Sequence, residues 1–221
     1  MDGGSPGIFL VPSSNDDALA NFERTVLDGV SSERIASHSG IRFASESLPV
    51  WGTHEGNLST WEQMQEGDYL FFYQESGYPY VARILTVEEN ESLSKEIWPN
   101  YDEDRPWKYV IYLLDVVEAD LERGEVNDFA GYEPDFAPMG LQTYRDSGVQ
   151  RIRAEHGSIW SYVTGAHEGT EISTTDEIDL DVTTTLRVTL PESILDGLYF
   201  PDGIGTDVLD QATAALNGGK H

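Results

Sequence analysis

Three of the five tryptophans in this chain stand at the edges of polar, turn-prone sequence: Trp51 in "VWGTHEGN", Trp98 in "KEIWPNYDED" and Trp107 in "EDRPWKYV". Flat rings that face one another hold a planar heterocycle by stacking. Trp61 sits instead in a helical stretch at core-like spacing, and Trp160 lies in the last third of the chain. Any one of these residues alone reads as core or rim. Several at loop edges of one small domain point to a ring-binding site.

Positive charge is scarce, so its placement is informative. Arg145, Arg151 and Arg153 fall close together, and Arg105 and Lys108 flank Trp107. They would form a cationic rim for phosphate groups on an otherwise acidic body. Pairing with neighbouring acids is the alternative.

Signatures of catalysis are missing. The sequence has no Gly-x-Ser-x-Gly elbow, no His-Glu-x-x-His pair and no phosphate-binding loop ending in Lys and Ser or Thr. With 40 Asp and Glu residues, close carboxylate pairs arise by chance and carry no information. The five histidines (His38, His54, His156, His167, His221) lack metal-ligand spacing, and the absence of Cys excludes a thiolate site. No catalytic residue, metal or cofactor is therefore expected.

The elements that would position the aromatic residues are legible from pattern. "GIFLV" at 7–11 reads as a buried strand. The following helix is capped by Ser14 or Asn15, with acids in its first turn and Leu19, Phe22, Val26 and Leu27 as its apolar face. "IRFAS" and "LPVW" read as strands, and "LSTWEQMQ" as a short helix. "YLFFYQ", "PYVARILTV" and "KYVIYLLDVV" are rich in the aromatic and β-branched residues of a buried sheet. The expected class is α+β, a curled mixed sheet or small barrel flanked by helices.

The net charge is -27 with a sequence pI near 4.2, yet 39% of the residues are hydrophobic. Disorder does not follow from acidity when so much apolar surface is available. A folded protein suited to concentrated salt does, because the Debye length at molar salt is only about 3 Å and self-repulsion is screened. The expectation is a cytoplasmic protein of a halophile, with neither a secretory signal nor a membrane span.

The stretch "VWGTHEGN", followed by "YLFFYQESGYPYVARI" and "IWP", resembles the YTH domain and its EVE and PUA-like relatives, which read modified bases. The matching residues are Trp51, Gly52, Thr53 and Asn57, then "ESG" at 75–77 and "VARI" at 81–84, and "GIFLVPSSND" resembles the family's first strand and loop. The resemblance implies that Trp51 and Trp98 are two walls of a methyl-base cage. The third wall is left among Trp107, Asp104 and Tyr78. It further implies base-edge contacts from Ser14, Asn15, Gly52, Thr53 and Asn57, with Gly52 standing where the family commonly has Ser. Arg105, Lys108, Arg145, Arg151 and Arg153 would meet phosphates.

A second resemblance lies at the carboxyl end, where "ESILDGLYFPDGIGTDVLDQATAALNGGKH" is similar to the lead-in to the AAA+ motor of McrB-type restriction subunits. The implied organisation is a reader domain over 1–154, an acidic linker over 155–190 and the start of a motor over 191–221. The implied partner is modified DNA, with modified or structured RNA as the alternative, and a nuclease subunit engaged through the motor. A protein-interaction module with structural tryptophans is the competing reading.

Overall fold

The computed structural model describes residues 5–98 and 104–165. All of these belong to the first of two units, Met1–Ile172. The last part of the expected linker and the motor-like segment lie outside the described residues.

Strand β1 (Ile8–Pro12) is apolar throughout and buried, and leads into helix α1 (Asp16–Phe22). Asn15 caps α1 by accepting from the Ala18 amide at 2.8 Å, and Asp16 and Asp17 fill the first turn, where carboxylates favour the exposed amides. The helix then widens into a π-helical turn over Glu23–Leu27, in which the Asp28 amide bonds the Glu23 carbonyl. That extra residue per turn shifts the apolar phase. Ala18, Phe22 and Val26 are buried, whereas Leu19 and Leu27, expected on the same face, are exposed.

A short antiparallel pair, β2 (Val30–Ser31) with β3 (Ser47–Leu48), brackets helix α2 (Ser32–His38). Residues 41–45, expected as a strand, form none. They are tied to Ser39, whose hydroxyl accepts from the Ile41 amide and whose carbonyl accepts from the Arg42 guanidinium. Ile41 and Phe43 supply the apolar pattern as a cover over the sheet, with Phe43 tilted on Tyr112 at 5.0 Å. Side-chain burial without a ladder partner produced the strand-like signal.

Strand β4 (Val50–Thr53) follows, then a 3-10 turn over Glu55–Asn57 and helix α3 (Leu58–Trp61). The three strongly apolar segments form β5 (Tyr69–Gln74), β6 (Gly77–Glu89) and β7 (Tyr109–Glu122), with α4 (Glu91–Ile97) between the last two. The remaining elements are α5 (Arg123–Ala130), β8 (Gln142–Thr143), α6 (Asp146–His156) and α7 (Ile159–Thr164).

Six strands make one sheet in the order β4-β7-β6-β5-β1-β8, in which β1 and β5 run parallel and all other neighbours antiparallel. The β6–β7 pairing shifts register three times, and Asp115 and Asp120 of β7 take positive φ. Bulges of this kind bend a strand and increase its twist, so the long pair curls the sheet as expected for a small half-barrel.

Helices α5, α6 and α7 cover one face of the sheet. Val126, Ile152, Ile159 and Val163 join Ile8, Leu10 and Phe71 in that core. The sequence reading placed the end of the folded domain at 154. The folded unit instead continues through Thr164, since α7 contributes three buried apolar side chains to the core and is capped by Ser158. Its six residues are too short for a periodic signal beside an acidic, Thr-rich tract.

Candidate functional site

Strand β4 is an edge strand, bonded on one side to β7. The Leu113 amide donates to the Pro49 carbonyl, and the register then sets Val50, Trp51, Gly52 and Thr53 opposite Tyr112, Ile111, Val110 and Tyr109. Hydrogen-bonded positions alternate along an antiparallel ladder. Trp51 and Thr53 therefore turn their main chain toward β7, while Gly52 points its N–H and C=O away from β7, at a position that is itself buried.

Side chains alternate too. Trp51 enters the core beside Phe22 and Phe72, and Gly52 faces the opposite layer, where Trp98 packs with Ile35, Leu93 and Ile97. Trp98 caps the end of α4, with its indole N–H directed at Thr25 Oγ1 at 3.4 Å. Its benzo ring covers Gly52 so closely that a Cβ built there would stand 2.3 Å from Cη2. No side chain fits under Trp98 at this position.

Trp107 joins the two layers. Its ring meets Trp51 at 5.3 Å and 61°, and Trp98 at 5.7 Å and 70°, edge-on in both cases. Of the three candidates for a third wall, Trp107 is the residue that touches both of the others. Tyr78 lies in the other core with Phe71 and Tyr73, and Asp104 lines a cavity with His54 and Arg105.

The structure corrects one expectation about this cluster. Two rings facing one another as walls of a cage are the expectation; instead Trp51 is 1% and Trp98 2% exposed, both buried in the fold. Trp107, itself only partly buried, packs against both. Trp51 Nε1 is buried with no hydrogen-bond partner among the described residues, an arrangement that costs about 1–3 kcal/mol.

Ser14 and Asn15 are not brought to the tryptophans. The Ser13 and Ser14 hydroxyls donate to the Tyr73 carbonyl, and Asn15 is used as the cap of α1. Ser13 and Ser14 line a separate cavity of about 480 Å3 with the 74–79 turn and residues 120–122. Seven helical residues separate Asn15 from the end of α1, where Phe22 meets Trp51, a rise of about 10 Å.

Thr53 and Asn57 do belong to the edge beside Trp51, where Asn57 Nδ2 donates to Thr53 Oγ1 at 2.8 Å. His54 lies between them and was not singled out from the sequence. It caps the 3-10 turn, its Nδ1 accepting from the Gly56 amide at 3.0 Å, and its Nε2 stands 3.1 Å from Arg105 Nη2. Burial, reinforced by the Arg105 charge, holds its imidazole below the ordinary value of 6.5, so it is neutral near pH 7. The signal available was position alone, two residues after Gly52 and beside a turn.

The other expected phosphate ligands are engaged within the fold. Arg145 donates to the Ala130 and Gly131 carbonyls at the end of α5 and lies over the Tyr132 ring. Arg151 pairs with Asp128 and Glu155, and Arg153 donates to the Pro6 carbonyl. Cations at a helix carboxyl end complement its exposed carbonyls, which accounts for Arg145 and Arg151. Lys108 pairs with Glu89 at 2.7 Å. Arg105 stands at the tryptophan edge, and among the described residues the His54 ring is its hydrogen-bonding contact.

Among the described residues no His, Asp or Glu grouping has a metal-binding arrangement, and no helix is long and apolar enough to cross a membrane.

No family model matches the chain, and no curated protein matches its sequence. Solved structures do match in fold. The N-terminal domain of Thermococcus gammatolerans McrB, bound to m5C DNA, aligns with a TM-score of 0.53 at 17% identity, over 67% of this chain and 96% of that one. The YTH domain of Zygosaccharomyces rouxii MRB1 in complex with N6-methyladenosine RNA aligns at 0.38 and 14%, over 69% and 87%. Human THYN1 in complex with 5-methylcytosine containing DNA aligns at 0.38 and 11%, over 67% and 96%. The McrB likeness shows a shared fold, the curled mixed α+β sheet expected of a PUA/YTH-like domain.

Proposed function

We propose that this chain reads a modified base in DNA, taking the base out of the helix and against the edge of β4 that pairs with no second strand. The observation that supports the reading is the main chain of Gly52, turned outward at an edge strand and framed by Trp51 and Trp98. An outward N–H and C=O offer one donor and one acceptor to a base edge, and the indoles offer faces for stacking. The McrB domain that shares this fold is bound to m5C DNA.

Entry of a base requires Trp107 to withdraw its edge from the other two rings. Each edge-to-face contact given up costs about 0.5–1.5 kcal/mol, and extruding a base from a duplex costs a few kcal/mol more. Stacking returns about 1–3 kcal/mol per base, and pairing of the buried Trp51 N–H would add to it. A methyl group moved from water into the closed cluster contributes about 0.8 kcal/mol, near a fourfold gain in affinity. Trp107 is in this reading the third wall around the bound base.

In concentrated salt the counterion-release contribution to DNA binding is weak, so selectivity rests on base contacts. Delivery of an McrB-like restriction motor and its nuclease partner to the modified site completes the proposal, on the strength of the sequence at 191–221.

The test is titration of matched oligonucleotides in molar potassium chloride, with cytosine, 5-methylcytosine, adenine and N6-methyladenine at one position, as DNA duplex and as single-stranded RNA. Tighter binding to a methylated duplex, with a change in tryptophan fluorescence, is expected. Equal affinity for modified and unmodified strands overturns the reading, and preference for RNA reassigns the target.

A further inference from the structure

The imidazole of His54 is caught between two hydrogen-bond donors. The Gly56 amide approaches Nδ1 at 3.0 Å, and the Arg105 guanidinium approaches Nε2 at 3.1 Å. A neutral imidazole has one N–H and one acceptor nitrogen, and a protonated one has no acceptor. One of the two contacts is therefore donor against donor in every protonation state the ring adopts. With Nδ1 accepting from Gly56, Nε2–H and the Arg105 N–H groups face each other.

An anionic oxygen placed between them would accept from both and remove the conflict. We infer that His54 and Arg105 form a phosphate site for the nucleic-acid backbone, at the mouth of the cavity of about 330 Å3 that they line with Glu55, Gly56, Asp104 and Pro106. The site stands beside the aromatic cluster, two residues along the chain from Gly52 on one side and two from Trp107 on the other. A phosphate held there would anchor the strand next to an extruded base.

The surroundings set the character of the site. Glu55 and Asp104 also line the cavity, and their charge weakens the binding of a free anion such as inorganic phosphate without abolishing it. A phosphate tethered to a base already held by the tryptophans arrives at high effective concentration and overcomes this opposition. The inference thus rests on the base-reading proposal for its ligand, while the donor conflict stands independently of it.

Two measurements on the full chain test the site. Arg105→Gln should weaken methylated and unmethylated oligonucleotides by the same factor, leaving the preference for the modified base unchanged. It should also reduce the slope of log affinity against log salt by about 0.9 for a duplex or 0.7 for a single strand, one phosphate contact. A methylphosphonate at the contacted linkage should reproduce the loss in the natural chain and add nothing in the variant. An unchanged slope, or a loss confined to methylated strands, overturns the inference. The second measurement is independent of base reading: 15N imidazole spectra during titration with inorganic phosphate. A shift of His54 Nε2 larger than at the other histidines, and absent from Arg105→Gln, is expected. An unresponsive His54 overturns the site whether or not oligonucleotides bind.

Discussion

The benzo ring of Trp98 covers the Cα of Gly52, leaving no room for a side chain between the indole and the edge strand. This contact sets the position of one aromatic wall by the absence of an atom. A Cβ at 2.3 Å from Cη2 and 2.8 Å from Cζ3 meets a ring that is itself 2% exposed and packed on Ile97 and Leu93. Neither partner has space to retreat.

Gly52→Ala is accordingly expected to lower stability by about 1–3 kcal/mol through overpacking and to displace Trp98 from the strand. Gly52→Ser, which restores the residue common in the resembling family, should behave the same way here. Chemical denaturation measures the loss, and a shifted tryptophan emission reports the displaced ring. Wild-type stability in either variant would show that Trp98 relocates without cost.

Trp107 touches both other indoles but is only partly buried. Trp107→Ala should fold, bind oligonucleotides with a faster association rate because no edge has to withdraw, and discriminate less between methylated and unmethylated bases. Stopped-flow fluorescence with paired oligonucleotides gives both quantities. A slower association with undiminished discrimination would place Trp107 outside the site.

The carboxylate of Asp68 is buried at the turn before β5, where Oδ1 accepts from the Gly7 amide at 2.6 Å and Oδ2 from the Gln65 amide at 2.8 Å. It thereby ties the start of β1 to the turn that launches its parallel partner. Asp68→Asn leaves one amide facing an NH2 group, and a loss of about 1–3 kcal/mol is expected, seen as a lower denaturant midpoint.

Below neutrality His54 supplies a signed prediction. Its folded value lies under the ordinary 6.5, with burial the larger cause and the Arg105 charge the smaller. A depressed value means that its contribution to stability is complete above 6.5 and is lost as pH falls through the folded value. Proton NMR of the imidazole should place its midpoint below 6.5 in the native chain, and Arg105→Gln should move it part of the way back.

The charge of -27 predicts a stability that grows with salt. Raising potassium chloride from low to molar concentration shortens the Debye length to about 3 Å and should raise the melting temperature. A melting temperature indifferent to salt would remove the halophilic reading.

Local chemistry made much of this molecule legible before any coordinates. The strands β1, β5, β6 and β7 are apolar or aromatic at nearly every buried position, and Asn15 announces the start of α1 by its own side-chain chemistry. The strand at "LPVW" was readable for the same reason, although it continues to Thr53. Its immediate neighbours carry the whole signal.

Tertiary structure decided what the residues are for. Arg145, Arg151 and Arg153 cluster in sequence, but the α5 carbonyls, Asp128 and Pro6 claim their donors. Ser14 and Asn15 resemble base contacts, yet Ser14 lines another cavity and Asn15 is used as the cap of α1. Residues 41–45 have the alternation of a strand but no strand beside them to pair with. Trp107 sits nine positions after Trp98 with nothing in the spacing to say that it meets two buried indoles edge-on, and His54 has no sequence mark of its donor conflict with Gly56 and Arg105. Composition and periodicity are properties of a segment and its solvent, so the sequence determined which segments are buried and how they begin. Which hydrogen bonds and ring contacts form depends on groups from distant segments meeting at angstrom distances, and only the packed fold specifies those.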